Sequence, residues 1–215
     1  MAKAAKSDVA STLVLPDGLT SPLAIQTFLD SIAYSADPIY RCPRRVVEDG
    51  KAHCFDGALF AAAALRRLGH PPRVLEMLSQ PTRDDTHLLG LFKEDGCWGA
   101  VAKSNFVGLR FREPIHRTLR ELVLSYFEDF FNDAREKTLR GYTLPLDLKR
   151  FDRLGWEVHN EPLDAIADRL DQIGRLSLLT PRQVERLSPL DERSYAGGML
   201  GLDRAGLYRV PGREG

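Results

Sequence analysis

Cys54 stands at the mouth of an alanine-rich run in the stretch KAHCFDGALFAAAALRRLGHPPRVLEM, residues 51–77. It is one of three cysteines in the chain, with Cys42 and Cys97. The reactive form of cysteine is the thiolate, and the partial positive charge at a helix N-terminus favours it. The same terminus leaves backbone N–H groups without intrahelical partners, and one of these can hold the oxyanion of a tetrahedral intermediate. A thiol so placed needs a base. Of the five histidines, His87 in TRDDTHLLGLF lies at the start of an apolar strand. His53 shares the tight turn of Cys54, and His70, His116 and His159 fall in loops or irregular stretches. Cys54 as nucleophile with His87 as general base and acid is therefore the arrangement to test.

Positioning these two side chains requires a helix and a sheet. The helix is expected from about Cys54 to Leu68, stopped by Gly69 and Pro71-Pro72, with Phe55, Leu59, Ala62 and Leu65 as its buried stripe. RVLEML, THLLGLF and CWGAVAKS read as three strands, the last two joined by a turn at KEDG. Ser21-Pro22 opens an earlier helix carrying Ile25, Phe28, Leu29 and Ile32. Residues 37–50 read as a loop with at most a short extended piece at RRVVE. Thr118 and Glu121 form a capping box ahead of a helix whose apolar face runs from Leu119 to Phe131. Residues 132–162 look irregular. A helix over about Leu163–Leu179, a short one opened by Thr180-Pro181, and an extended tail complete the chain.

The nucleophile segment, CFDGALFAAAALRRLGHPPRVLE, resembles that of the transglutaminase-like superfamily: a cysteine opening an alanine/leucine-rich helix, a leucine-arginine-x-leucine-glycine stop, a proline and a strand. The resemblance covers roughly residues 50–106. It implies a papain-like α+β core in which the nucleophile helix packs on an antiparallel sheet, with additional C-terminal helices. It matches Cys54 to the nucleophile and His87 to the base, and implies catalysis without a metal or other cofactor. The family's third member, an aspartate after a tryptophan and a few apolar residues, would fall on Ala102. Trp98 and Ser104 are assigned to substrate binding, Trp98 as a wall of the cleft.

Hairpin register ranks replacements for the missing aspartate, because side chains alternate faces. A four-residue loop sets His87 against Ala102, a two-residue loop against Ser104, and a three-residue loop against Lys103 with Asn105 diagonal to it. Asn105 is chosen as the orienter, since an amide oxygen can accept the ring N–H. Ser104 would do so more weakly, and Asp84 and Asp85 stand in reserve. Arg110, Arg112 and Glu113 read first as an ion-pair network.

Composition sets the remaining bounds. The chain has 215 residues, with 30 Lys plus Arg against 30 Asp plus Glu, so nothing in its charge favours nucleic acid or a membrane surface. Sparse, unpaired cysteines fit a reducing compartment, and the expected location is cytoplasmic. No CxxC pair or histidine cluster suggests a metal site. Residues 1–20 read as a flexible arm, 21–160 as the core domain and 161–215 as a helical extension packed on the core that could cover the cleft or dock a partner. The expected function is acyl transfer from a peptide or other amide-containing substrate through a thioester on Cys54, to water or an amine. The alternative is a catalytically inactive binding or scaffold domain of the same fold.

Overall fold

The computed structural model describes residues 12–208. Helix α1 (Pro22–Ser31) begins where Ser21 Oγ accepts the Ala24 N–H at 3.1 Å. Strand β1 (Ala33–Tyr34) pairs in parallel with β2 (Lys51–Ala52), and α2 (Pro43–Asp49) lies between them. α2 corrects the reading of 37–50 as a loop. Proline opens it and Gly50, at φ 61°, closes it in the left-handed conformation that favours glycine.

Helix α3 (Cys54–Arg67) is buried at every residue from Phe55 to Leu65. The expected stripe is thus a full sheath, as for any helix apolar all round. β3 (Arg73–Ser79), β4 (His87–Glu94), β5 (Cys97–Val101) and β6 (Arg112–His116) follow, then α4 (Leu119–Leu124). The aromatic residues after α4 leave the helix for a short 3-10 turn at Phe127–Asp129, yet Tyr126, Phe130 and Phe131 stay buried. Packing rather than helix propagation fixes them.

The stretch expected to be irregular contains β7 (Leu139–Thr143), β8 (Leu146–Asp147) and a 3-10 helix at Leu148–Leu154. Beyond it lie α5 (Leu163–Gln172), β9 (Arg175–Ser177), α6 (Pro181–Val184), α7 (Glu192–Gly198) and a 3-10 turn at Arg204–Gly206. The helix expected to reach Leu179 ends at Gln172, and its last part becomes β9.

The fold is α+β. The main sheet runs β6-β5-β4-β3-β7-β9, with β8 also on β3, and its pairings are antiparallel. Leu88 and Phe92 of β4 join the clusters around α3, whereas Leu89 and Leu91 join Leu122, Val123, Tyr126 and Phe130 on the other face. Gly90 lets α3 approach closely, since a Cβ there would stand 2.7 Å from the Ala61 methyl.

The region expected as a helical extension packed on the core contributes both a strand and a helix to it. β9 is a strand of the main sheet, and Leu163, Ile166 and Leu170 of α5 share a cluster with Phe55, Leu59 and Ala62 of α3. Of the expected N-terminal arm, residues 1–11 lie outside the described residues. Leu13 is 5% exposed in the same cluster, so the chain is already packed there.

Candidate active site

His53 is the N-cap of α3. Its Nδ1 accepts the N–H groups of Phe55 at 3.1 Å and Asp56 at 3.4 Å, and Asp56 Oδ2 accepts the His53 N–H at 3.3 Å. The Gly57 N–H is already bonded to the His53 carbonyl at 2.9 Å. Of the donors at this helix mouth, the Cys54 N–H alone has no hydrogen bond among the described residues. The cap also consumes the Nδ1 lone pair of His53, so His53 cannot use that nitrogen as a base. Burial, with the Arg41 charge, pushes its pKa down to about 4.

Behind the cap lies a charge cluster centred on buried Arg41 and Asp56. Arg41, 2% exposed, pairs with Asp37, with Asp49 at 3.0 Å and with Asp56 at 3.8 Å, and its own N–H donates to Asp56 Oδ1 at 2.8 Å. Burial raises Asp56 to about 7 against the pull of these bonds.

The Cys54 side chain is half-buried, and its thiol donates to the Thr86 carbonyl at 3.9 Å. Burial, reinforced by the Asp85 charge, pushes the thiol up to about 12, while the Leu88 and Phe55 N–H groups pull the other way. The resting sulfur is therefore protonated. His87 is buried, and its Nε2 lies 2.8 Å from the Leu109 carbonyl oxygen. A carbonyl only accepts, so Nε2 carries the proton and Nδ1 holds the basic lone pair. Burial lowers His87 to about 4 despite the Leu109 bond, and the ring is neutral near pH 7.

Cys54 and His87 line one cavity of about 60 Å³ with Thr86, Ser104, Phe106 and Leu109. They enter it from different sides. His87 shares the alternation of Leu89 and Leu91, away from α3, and the thiol bonds to the Thr86 carbonyl rather than to the imidazole. Cys54 also borders a larger cavity of about 700 Å³, walled by Tyr34, Tyr40, Glu76 and Asp171 among others. Tyr40 stacks on Phe55 with ring centroids 4.3 Å apart.

The expected orienter, Asn105, does not reach His87. Its Nδ2 donates to the Asp203 carbonyl at 2.8 Å, and its Oδ1 accepts the Asp203 N–H at 2.9 Å. The register explains part of this. The β4–β5 turn has two residues, Asp95 at φ 47° and Gly96 at φ 83°, with Glu94 opposite Cys97. The three-residue loop that favoured Asn105 is thus replaced by a two-residue one. Continued, its register would bring Ser104 opposite His87, but pairing stops at Val101. There Gln26 takes over the Ala102 backbone, with both bonds at 3.0 Å, and Lys103 Nζ caps α1 through the Leu29 and Ile32 carbonyls at 2.7 and 2.6 Å.

Ser104 lines the small cavity, its Oγ accepting the Phe106 N–H at 3.0 Å. Trp98 borders neither cavity. It sits near the turn end of β5, with Lys93 Nζ 5.1 Å from its ring centroid, so it does not wall the cleft as expected. Asp84 binds the Thr138 hydroxyl, and Asp85 accepts the Thr86 N–H at 2.9 Å, so neither holds His87. Arg112 pairs with Asp129 at 3.0 Å and lies over the Tyr126 ring, and Arg110 pairs with Asp30 at 3.2 Å. The two arginines are thus ion-paired as expected, whereas Glu113 enters no ion pair among the described residues.

Sequence reasoning missed Leu109, whose contribution is a main-chain carbonyl that every residue possesses. It also missed the His53 cap, signalled by the His53–Asp56 spacing of a capping box. Among the described residues no helix is long and apolar enough to cross a membrane. No protein-family model and no curated protein matches the chain.

Proposed function

We propose that the chain is a cysteine-dependent acyl-transfer enzyme of transglutaminase-like, papain-like architecture, acting on a peptide or other amide. The observation that carries this reading is a Cys54 N–H without a hydrogen bond among the described residues, beside a thiol that shares a cavity with His87, whose Nε2 is held by the Leu109 carbonyl. His87 Nδ1 takes the thiol proton, directly after a side-chain rotation or through one water, for which about 60 Å³ is room enough. The sulfur adds to the substrate carbonyl, and the Cys54 N–H receives the oxyanion. The C–N bond breaks as His87 returns the proton to the leaving amine, leaving a thioester. Water or a second amine then attacks with His87 again as base, and the thiol is restored.

Leu109 supports this cycle as a carbonyl dipole in place of a carboxylate. It keeps the tautomer but stabilises the transient imidazolium less than a full negative charge would. The larger cavity supplies an aromatic and acidic wall for the acyl donor.

A second reading is a non-catalytic domain of the same fold. The Cys54 bond to the Thr86 carbonyl and the protonated resting thiol favour it. Mass analysis after incubation with a panel of activated esters and amides separates the two. The enzyme reading expects an acyl adduct on Cys54, absent in Cys54→Ala and much reduced in His87→Ala. No adduct, or one indifferent to His87→Ala, would leave the non-catalytic reading.

A further inference from the structure

Residues 205–208 line the Cys54 cleft. Gly206 and Tyr208 border both cavities, and Ala205 and Leu207 border the larger one. A Cβ on Gly206 would stand 2.6 Å from the Tyr34 ring, so the backbone lies directly against that aromatic. Tyr34 itself follows from the β1–β2 pairing, which sets it opposite Ala52, two residues before Cys54.

The attachment of this segment is slight. None of residues 199–208 is buried. The hydrogen bonds of Gly206 and Leu207 stay within the segment, ending on the Asp203 and Arg204 carbonyls. Among the described residues, its hydrogen bonds to the rest of the chain are the reciprocal pair between Asn105 and the Asp203 backbone. No buried residue and two hydrogen bonds characterise a segment that opens locally while the core stays closed. Upstream, by contrast, α7 is anchored, since a Cβ on Gly198 would stand 2.4 Å from the Phe131 ring. The segment thus has a fixed end and a weakly held crossing.

We propose that residues 203–208 form a releasable strap, latched by Asn105, that closes the Cys54 cleft until it is displaced. The inference rests on the acyl-transfer reading for its biological meaning, since the strap then withholds the nucleophile from substrate. The protonated state of the covered thiol is consistent with it: a sulfur opened to water loses the desolvation that holds its proton.

The test uses the full chain. Wild type, Asn105→Ala and Gly206→Val are treated with iodoacetamide at neutral pH, and each cysteine is followed by peptide mass analysis. Asn105→Ala removes the latch, and Gly206→Val drives the strap off Tyr34, its Cβ also meeting Asn105 Nδ2 at 3.0 Å. Cys54 should react about tenfold faster or more in both variants, the scale set by losing two hydrogen bonds of ordinary net strength. Half-buried Cys97 should keep its rate, and fully buried Cys42 should stay unlabelled as the sign of an intact fold. Cys54 rates within twofold of wild type in both variants would overturn the strap.

Should a variant label Cys42 and so prove unfolded, amide hydrogen exchange on the wild type decides. Exchange at 203–208 far faster than in β4 supports release, and protection equal to that of β4 overturns it. Faster alkylation with no acyl adduct in any variant would sink the acyl-transfer reading and leave the strap. Equal adduct yield and equal alkylation in wild type and variants would do the reverse.

Discussion

His87 Nε2 meets the carbonyl oxygen of Leu109 at 2.8 Å, so the ring is oriented by main chain rather than by a side chain. The bond should survive truncation of the Leu109 side chain. Leu109→Ala is expected to lower stability by about 2–5 kcal/mol, because Leu109 is 5% exposed in the core. Nitrogen-15 NMR should still report the Nε2–H tautomer of His87 in that variant. A mixture of tautomers in the wild type at neutral pH would refute this orientation.

The low pKa of His87 predicts a specific acid sensitivity. Its folded value of about 4 lies below the ordinary 6.5. Between pH 6.5 and 4 the unfolded chain takes up a proton that the folded protein refuses, so this contribution is present above 6.5 and is lost as pH falls through 4. His53 acts in the same direction, while Asp56, raised to about 7, and Asp84, raised to about 6, act oppositely. The wild-type profile should therefore be shallow there. The stability difference between wild type and His87→Asn should fall by about 1.4 kcal/mol per pH unit on acidification across that window, in urea titrations. A difference independent of pH would remove the assignment.

Removing Arg41 leaves Asp56 buried beneath the helix mouth without its counter-charge. Arg41→Gln should destabilise by about 3–5 kcal/mol, whereas Asp37→Asn, at a position 41% exposed, should lose far less. Denaturant midpoints measured side by side test the order, and equal losses would contradict it.

Gly90→Val should push β4 from α3, because the new Cβ would meet the Ala61 methyl at 2.7 Å and the Ala58 carbonyl at 3.3 Å. A loss of about 1–3 kcal/mol is expected from overpacking. The two elements carrying Cys54 and His87 would separate with it, so any acyl adduct yield should fall further than in Leu109→Ala. Unchanged stability would show that the interface has slack.

The cleft should discriminate reagents by charge. Asp37, Glu76, Asp85 and Asp171 border the larger cavity, and no Lys or Arg is among its described lining residues. In Asn105→Ala, iodoacetamide should outpace iodoacetate at Cys54 by a wider ratio than at an unfolded control peptide, and added salt should narrow the gap. Equal ratios would mean that the wall carries no effective negative field.

The parts of the site legible in the sequence are those set by local rules. α3 from Cys54 to its stop, the strand beginning at His87, and the short helix opened by Thr180-Pro181 follow from caps, periodicity and breakers within a few residues. Contacts between distant segments were not legible. Asn105 finds Asp203 across 98 positions, and Lys103 is drawn to the end of α1 across more than 70. The tight Asp95-Gly96 turn also shifted the register by one residue, which inverts which side chain faces which. α2 was missed although Pro43 and Gly50 mark both its ends, because arginines and valines between them read equally well as extended chain.

The sheathing of α3 divides the freedom to vary unequally around the site. With Phe55 to Leu65 enclosed on every side, nearly any exchange along that helix disturbs neighbours that have nowhere to move. Tyr40 and Ala205 border the cleft with open faces and tolerate replacement. New preferences for what enters beside Cys54 can therefore be selected or engineered on that outer rim while the sulfur's own seat stays unchanged.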